Sequence, residues 1–159
     1  MVRQEISLFM KNVPGELGKL ASLLSEAKIN IDALSIQDAS AYVLDLFKAR
    51  GRSLKRIASA QSYNSMRQDS DEFALIRLIV SDTDKAVDLL TRNDYLFEVL
   101  PVIAIHLENK PGALAEVCTR FGQEGINIRY VYGSAVGPDD KVLFVFSPEN
   151  INHAAKIFG

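Results

Sequence analysis

Two short stretches hold the residue types that could do chemistry in this 159-residue chain, and they are copies of one another. The first is Asn12, Val13, Pro14, Gly15, Glu16 and Leu17; the second is Asn109, Lys110, Pro111, Gly112, Ala113 and Leu114. A residue before proline is pushed out of the α region, proline suits a first helical turn, and glycine lets backbone approach a ligand closely. Asn-x-Pro-Gly between a strand and a helix therefore builds a tight turn whose free amides and helix N-terminus aim at one spot. Such a spot favours a carboxylate or a phosphate.

Each copy is followed by a second polar position, Asn30 beside Ile31 and Asn127 beside Ile128, inside the Ile-Asn-Ile segments 29–31 and 126–128. A constant offset of 97 residues aligns the copies, and eight of 26 positions agree between 6–31 and 103–128. That is an internal duplication.

The other reactive side chains point to no catalytic constellation. His106 falls mid-strand with no metal-spaced partner, His153 lies on a terminal helix exposed to solvent, and Cys118 sits on the core stripe of a helix as a small hydrophobe. Tyr130 and Tyr132 are expected to share one strand face with Ile128, for core or interface packing rather than ligand stacking. Asp139 and Asp140 are turn residues first. The chain has no Walker loop, no G-x-G-x-x-G, no nucleophile elbow and no Cys/His metal cluster, so neither catalytic nor metal residues nor a cofactor are assigned.

The elements that position the loops follow from periodicity. Ile6, Leu8 and Met10 alternate with Glu5, Ser7 and Lys11 as a half-buried strand. Leu17, Leu20, Ala21, Leu24 and Ala27 make a helical stripe, with Leu17 and Leu114 expected at equivalent buried places. Residues 30–37 read as a second strand and 73–80, almost all apolar, as a buried third. Ser81, Asp82 and Thr83 are cap candidates for a helix carrying Ala86, Val87, Leu89 and Leu90. Residues 97–100 form a short fourth strand, Pro101 intervenes, and 102–107 open the second half. There Leu114, Val117, Cys118 and Phe121 give the helix stripe, 127–134 and 141–146 a hairpin across Gly137 and Pro138, and Ser147 with Pro148 the start of a last helix. No residues remain for a fourth strand in this half, which predicts an uncovered sheet edge.

Residues 41–70 interrupt the first half at a loop tip. Val43, Phe47, Leu54 and Ala58 gather on one side of a helical wheel, with Lys48, Arg52, Lys55 and Arg56 opposite, so a helical insertion packing on protein is expected. Residues 41–67 hold six basic residues and one acidic, leaving 12 basic and 19 acidic elsewhere, a net −7 against −2 for the whole chain. A pI near 5.7 speaks against nucleic acid and anionic membrane as partners. One cysteine excludes an internal disulfide framework, and no run of about 18 or more apolar residues or signal-like h-region occurs, so the reading is a soluble, cytoplasmic protein with no membrane partner.

The strand, the Asn-x-Pro-Gly helix start and the Ile-Asn-Ile strand, set in βαββαβ order, resemble the ACT domain. The likeness covers everything but residues 41–70. It implies an α+β protein of two ferredoxin-like βαββαβ units in tandem, 1–100 with the helical insertion and 101–159 lacking its last strand. It also implies a non-catalytic regulatory or sensor role, in which residues 12–17 and 109–114, helped by Asn30, Ile31, Asn127 and Ile128, bind a free amino acid where two units meet. Apolar Met10 and Leu107 at the strand ends favour an apolar ligand side chain. The implied partners are a homo-oligomer, dimer or higher, and a regulated enzyme. The alternative is a protein- or nucleic-acid-interaction module acting through the basic insertion.

Overall fold

A computed structural model describes residues 1–39 and 73–159. Residues 41–70, with the expected helical stripe of Phe47 and Leu54, lie outside the described residues.

Among the described residues the strands are β1 (Val2–Lys11), β2 (Ile31–Asp38), β3 (Phe73–Val80), β4 (Leu96–Glu108), β5 (Ile128–Val136) and β6 (Lys141–Pro148). The helices are α1 (Glu16–Glu26), α2 (Thr83–Arg92), α3 (Ala113–Gln123) and α4 (Ile151–Phe158). All strands pair antiparallel in one sheet of order β2-β3-β1-β4-β6-β5. The halves repeat one motif, β2-β3-β1 in the first and β5-β6-β4 in the second, as tandem ferredoxin-like units should.

The two strands expected on either side of Pro101 are one. β4 runs 13 residues through the proline; its first part pairs with β1, from Phe9 opposite Leu96 to Val2 opposite Ile103, and its second with β6, from Ile103 opposite Phe146 to Glu108 opposite Lys141. Ala104 donates its N–H to the Met1 carbonyl on the β1 side. By antiparallel alternation the odd-numbered residues of β4 then direct their amides to the other edge. Pro101 is among them, and the position it faces lies beyond the β4–β6 pairs, so its missing N–H breaks no ladder bond.

β4 is thus the fourth strand of the first half and the first strand of the second. Among the described residues, the lane beside its second part, where a fourth strand of the second half would run, is met only at its start. Val2 pairs with Ile103, and the Met1 ammonium donates to the Phe158 carbonyl at 2.6 Å and to the Ala104 carbonyl at 3.3 Å.

Among the described residues three packed clusters follow. Ile6, Leu8, Ile76 and Leu78 bury one face of the first half against Leu20 and Leu24 of α1 and Ala86 and Leu90 of α2. Ile103 and Phe146 do the same in the second half with Phe121 of α3 and Ala154 of α4. The third cluster joins the helix-free faces of the halves: Ala33 and Ile79 meet Val102, Ala104, Leu143 and Val145, with Tyr132 against them. The described residues are therefore layered helix, sheet, sheet, helix, with β4 passing from one sheet half to the other. Apolar residues on both faces of the central strands follow from that layering.

The caps differ in one place from expectation. Asp82 caps α2, its carboxylate accepting from the Lys85 N–H at 3.0 Å. The last helix begins instead after Asn150, whose side chain accepts from the His153 N–H at 3.0 Å. Ser147 and Pro148 finish β6 opposite Tyr130 and Ile128, because a strand end tolerates proline as readily as a first helical turn does.

Candidate ligand-binding site

The two Asn-x-Pro-Gly loops adopt the same geometry. In the first, the Glu16 N–H donates to the Val13 carbonyl at 3.3 Å around Pro14 and Gly15; in the second, the Ala113 N–H donates to the Lys110 carbonyl at 3.4 Å around Pro111 and Gly112. Gly15 has φ 92° and ψ −16°, Gly112 φ 92° and ψ −22°. These are type II turns, with proline second and glycine third because the third residue needs positive φ. Each glycine is also the N-cap of its helix, and neither helix receives a side-chain cap, so beyond the Glu16 and Ala113 amides, which close the turns, the next amides of the first turn of α1 and α3 are left open.

The loops differ in charge. Glu16 of the first accepts a 2.6 Å hydrogen bond from Lys19 one turn on, which holds the Lys19 ammonium above its usual range. Lys110 of the second pairs with Glu108 at the end of β4, which raises the lysine and lowers the carboxyl.

Leu17 and Leu114 stand at equivalent places, but both are exposed, 38 % and 36 %, not buried. The stripes are buried further along the helices, by Leu20 and Leu24 in α1 and, two turns on from Leu114, by Phe121 in α3. Side chains lean toward a helix's N-terminus, so those of the first turn overhang the end of the sheet. With Val13 they make apolar rims beside the loops. Met10 is turned into the first core and Leu107 is half-buried, so the open apolar surface at the loops is that of Val13, Leu17 and Leu114.

Asn30 and Asn127 sit in open hollows at the starts of β2 and β5. The first, about 410 Å³, is lined by Ala21, Ser25, Lys28, Ile29, Asn30 and Ile31. The second, about 480 Å³, is formed by the 125–127 turn with Glu149, Asn150, Ile151 and Asn152. The Asn30 carbonyl accepts from the Ser81 N–H, and the Asn127 carbonyl from the Glu149 N–H.

The fold separates each loop from both asparagine hollows of its own chain. Within a half, the 11 residues of α1 or α3, about 16 Å of helix, lie between loop and strand start. Across the halves the register decides. Both hollows lie level with the middle of β4, since Leu78 and Phe146, each shortly before its hollow, stand in register with Ile6 and Ile103. The loops follow Lys11 and Glu108 at its two extremes, about 20 Å away along the strands. Residues 12–17 and 109–114 therefore do not meet Asn30, Ile31, Asn127 or Ile128 within one chain.

Tyr130 and Tyr132 do not share a face with Ile128. A register shift between Ile128 and Tyr130 turns Ile128 toward the helices and the tyrosines toward the other sheet half. Their hydroxyls donate to Glu5 on β1 at 2.5 and 2.7 Å, and the Arg77 guanidinium lies 4.0 Å from the Tyr130 ring centroid. Glu5 is wholly buried. Burial raises its carboxyl above the ordinary range, opposed by the two phenol hydrogen bonds and by Arg77 and reinforced by Glu98. Burial, then the Glu5 partnership, likewise raises Tyr130. Sequence reasoning missed this cluster because Glu5 alternates with apolar residues as a solvated strand position does. Its one signal was the pair of tyrosines spaced two apart.

Among the described residues no group of three His, Cys, Asp or Glu side chains could hold a metal ion, and no helix is long and apolar enough to cross a membrane. Cys118 is partly buried against the second core, and His153 lies 3.8 Å from Glu124 on the surface.

The family model described as "ACT domain pair" matches residues 50–158. No curated protein matches the chain. Among solved structures, protein BT0572 from Bacteroides thetaiotaomicron is similar with a TM-score of 0.70 at 27% identity, over 99% of this chain and 86% of that one. The regulatory subunit of aspartate kinase from Thermus thermophilus, in its ligand-free form, gives 0.56 at 10% identity over 99% and 91%. The corresponding subunit from Thermus flavus gives 0.51 at 15% identity over 98% and 92%. At 10% and 15% identity these two share the fold alone.

Proposed function

The chain belongs to the ACT domain pair family, and from that premise we propose that it is a non-catalytic regulatory module of the cytoplasm that senses a free amino acid. Its units are residues 1–100 and 101–159. The ligand sits between chains, where a Pro-Gly loop of one meets the Asn30 or Asn127 hollow of another, and its binding alters assembly or the activity of a partner enzyme. The observation that carries this reading is the pair of loops. Two type II turns, each with a left-handed glycine, open helix amides and an exposed leucine, stand at matching positions of the halves.

The chemistry is complementary to the zwitterion. Loop amides and the helix N-terminus offer donors to the carboxylate, asparagine carbonyls accept from the ammonium, and the rims of Val13, Leu17 and Leu114 favour an apolar side chain. The roughly 20 Å between loop and hollow in one chain supports a site shared by two copies. The Thermus thermophilus neighbour is the regulatory subunit of an enzyme, and an enzyme partner is the corresponding target here.

A thermal-shift panel of the common amino acids tests it. At 100 times the dissociation constant a single site adds about 2.7 kcal/mol, a rise in melting temperature of about 5–11 °C for a chain of this size. No shift with any amino acid overturns the reading.

A further inference from the structure

The two asparagine hollows are not chemically equal. In the first half the Asn30 side chain is fixed: its Nδ2 donates to the Asp32 Oδ1 at 2.9 Å. A carboxylate only accepts, so this contact determines which end of the amide it holds. Asn30 lines the hollow, and its Oδ1 has no hydrogen-bond partner among the described residues, which leaves it available as an acceptor there. Asp32 is itself held, its Oδ2 accepting a 2.8 Å charge-assisted bond from Arg3 on β1, and the same Arg3 nitrogen reaches the Val80 carbonyl at 2.7 Å. Asp32 occupies the β-bulge that shifts the register between Ile31 and Ala33, and a bulge re-aims the side chain it carries.

The same bulge recurs between Ile128 and Tyr130 of the second half. There the equivalent residue is Arg129, of opposite charge, and Asn127 has no side-chain hydrogen bond among the described residues. Its amide can rotate to donate or to accept, because the bulge residue two positions on is a cation and not a carboxylate that would hold the amide nitrogen.

We propose that Asp32, clamped by Arg3, is a positioning residue that presets Asn30 as an acceptor, making the first-half hollow the one that recognises a primary ammonium. This rests on the amino-acid reading above and goes beyond it, because it separates the two hollows by ligand chemistry. The Arg3–Asp32 pair is neutral as a whole, so the preference arises from the direction of one carbonyl rather than from a general attraction for cations.

The test compares α-amino acids with their α-hydroxy acids, which keep the carboxylate and side chain but lose the ammonium. Isothermal titration with L-valine and 2-hydroxyisovalerate, L-leucine and 2-hydroxyisocaproate, and L-phenylalanine and 3-phenyllactate gives an amine-to-hydroxyl preference for each pair. Wild type is expected to prefer the amino acid by about tenfold or more, as one hydrogen bond to a charged group allows. Asp32→Ala should bring that preference close to unity while changing hydroxy-acid affinity less than about threefold. Asp32→Asn, which keeps shape and packing, should fall between, and Arg129→Gln should leave the preference intact; thermal melts confirm that each variant is folded. Equal weakening of both ligands, or a preference that survives Asp32→Ala, overturns the positioning role. Failure of every ligand to bind wild type is a different outcome, and removes the amino-acid reading together with this proposal.

Discussion

The Tyr130 hydroxyl and the Glu5 carboxylate lie 2.5 Å apart across the interface between the halves, 125 residues distant in sequence. Tyr132 donates to the other carboxylate oxygen at 2.7 Å. The register that faces the sheet halves is thus set by a buried polar cluster within a mostly apolar contact. A buried carboxylate left without partners is costly, so any shift of β5 along β1 is opposed.

Removing either phenol hydroxyl should be felt. Tyr130→Phe and Tyr132→Phe are each expected to destabilise by about 1–3 kcal/mol in urea titration, and the double variant should depart from additivity because both bond one group. Additive losses below about 0.5 kcal/mol would contradict a shared cluster.

The raised Glu5 carboxyl gives a signed pH dependence. As pH climbs past the ordinary carboxylate range the unfolded chain releases this proton first, so the contribution of Glu5 is fully present below that range and is lost as pH rises toward the folded value. Glu5→Gln removes the titration while keeping a hydrogen-bonding group. The difference in stability, variant minus wild type, should therefore grow as pH increases from about 4. A difference that shrinks over that interval would mean that the phenols and Arg77, not burial, dominate.

Gly15→Ala and Gly112→Ala isolate the turn. Neither glycine has an atom within 4 Å of an added methyl, so the cost comes from φ of +92° alone. About 1–2 kcal/mol is expected from each. Circular dichroism of the folded state should not change.

The core differs between halves in its largest members. Leu24→Ala should cost about 2–5 kcal/mol and Phe121→Ala, which also removes a stacked contact with Phe158 at 4.2 Å, about 3–5 kcal/mol. Because β4 belongs to both halves, each variant should still unfold in one transition by fluorescence and by circular dichroism. Two separated transitions would show that the halves are independent.

Much of this fold was legible because its periodic signals are local. The alternation of Ile6, Leu8 and Met10, the apolar run of β3, the Asp82 cap and the repeated loops each reflect one element in its own surroundings. What was misread depends on neighbours. Pro101 looks like a boundary until its amide position is known to face an unpaired edge. Ser147 and Pro148 look like a helix start until β5 is placed beside them, and Leu17 looks like core until the sheet is seen to end beneath it. The candidate loops were legible as chemistry but not as a site, because their separation from Asn30 and Asn127 is a property of register along β4. The bulges at Asp32 and Arg129 leave no mark in composition at all.

The central claim is that the amino-acid site is built from two chains, and complementation measures it directly. One variant carries Asn12→Ala and Asn109→Ala, the other Asn30→Ala and Asn127→Ala; each should lose the ligand-induced thermal shift of the wild type. In a dimer with equivalent sites, a hybrid of the two has one site with both parts intact, so an equimolar re-assembled mixture should bind about a quarter of the wild-type amount of amino acid. Recovery near that level in isothermal titration is the predicted result. A mixture as inactive as its components, or single-chain variants that bind like wild type, would contradict the account.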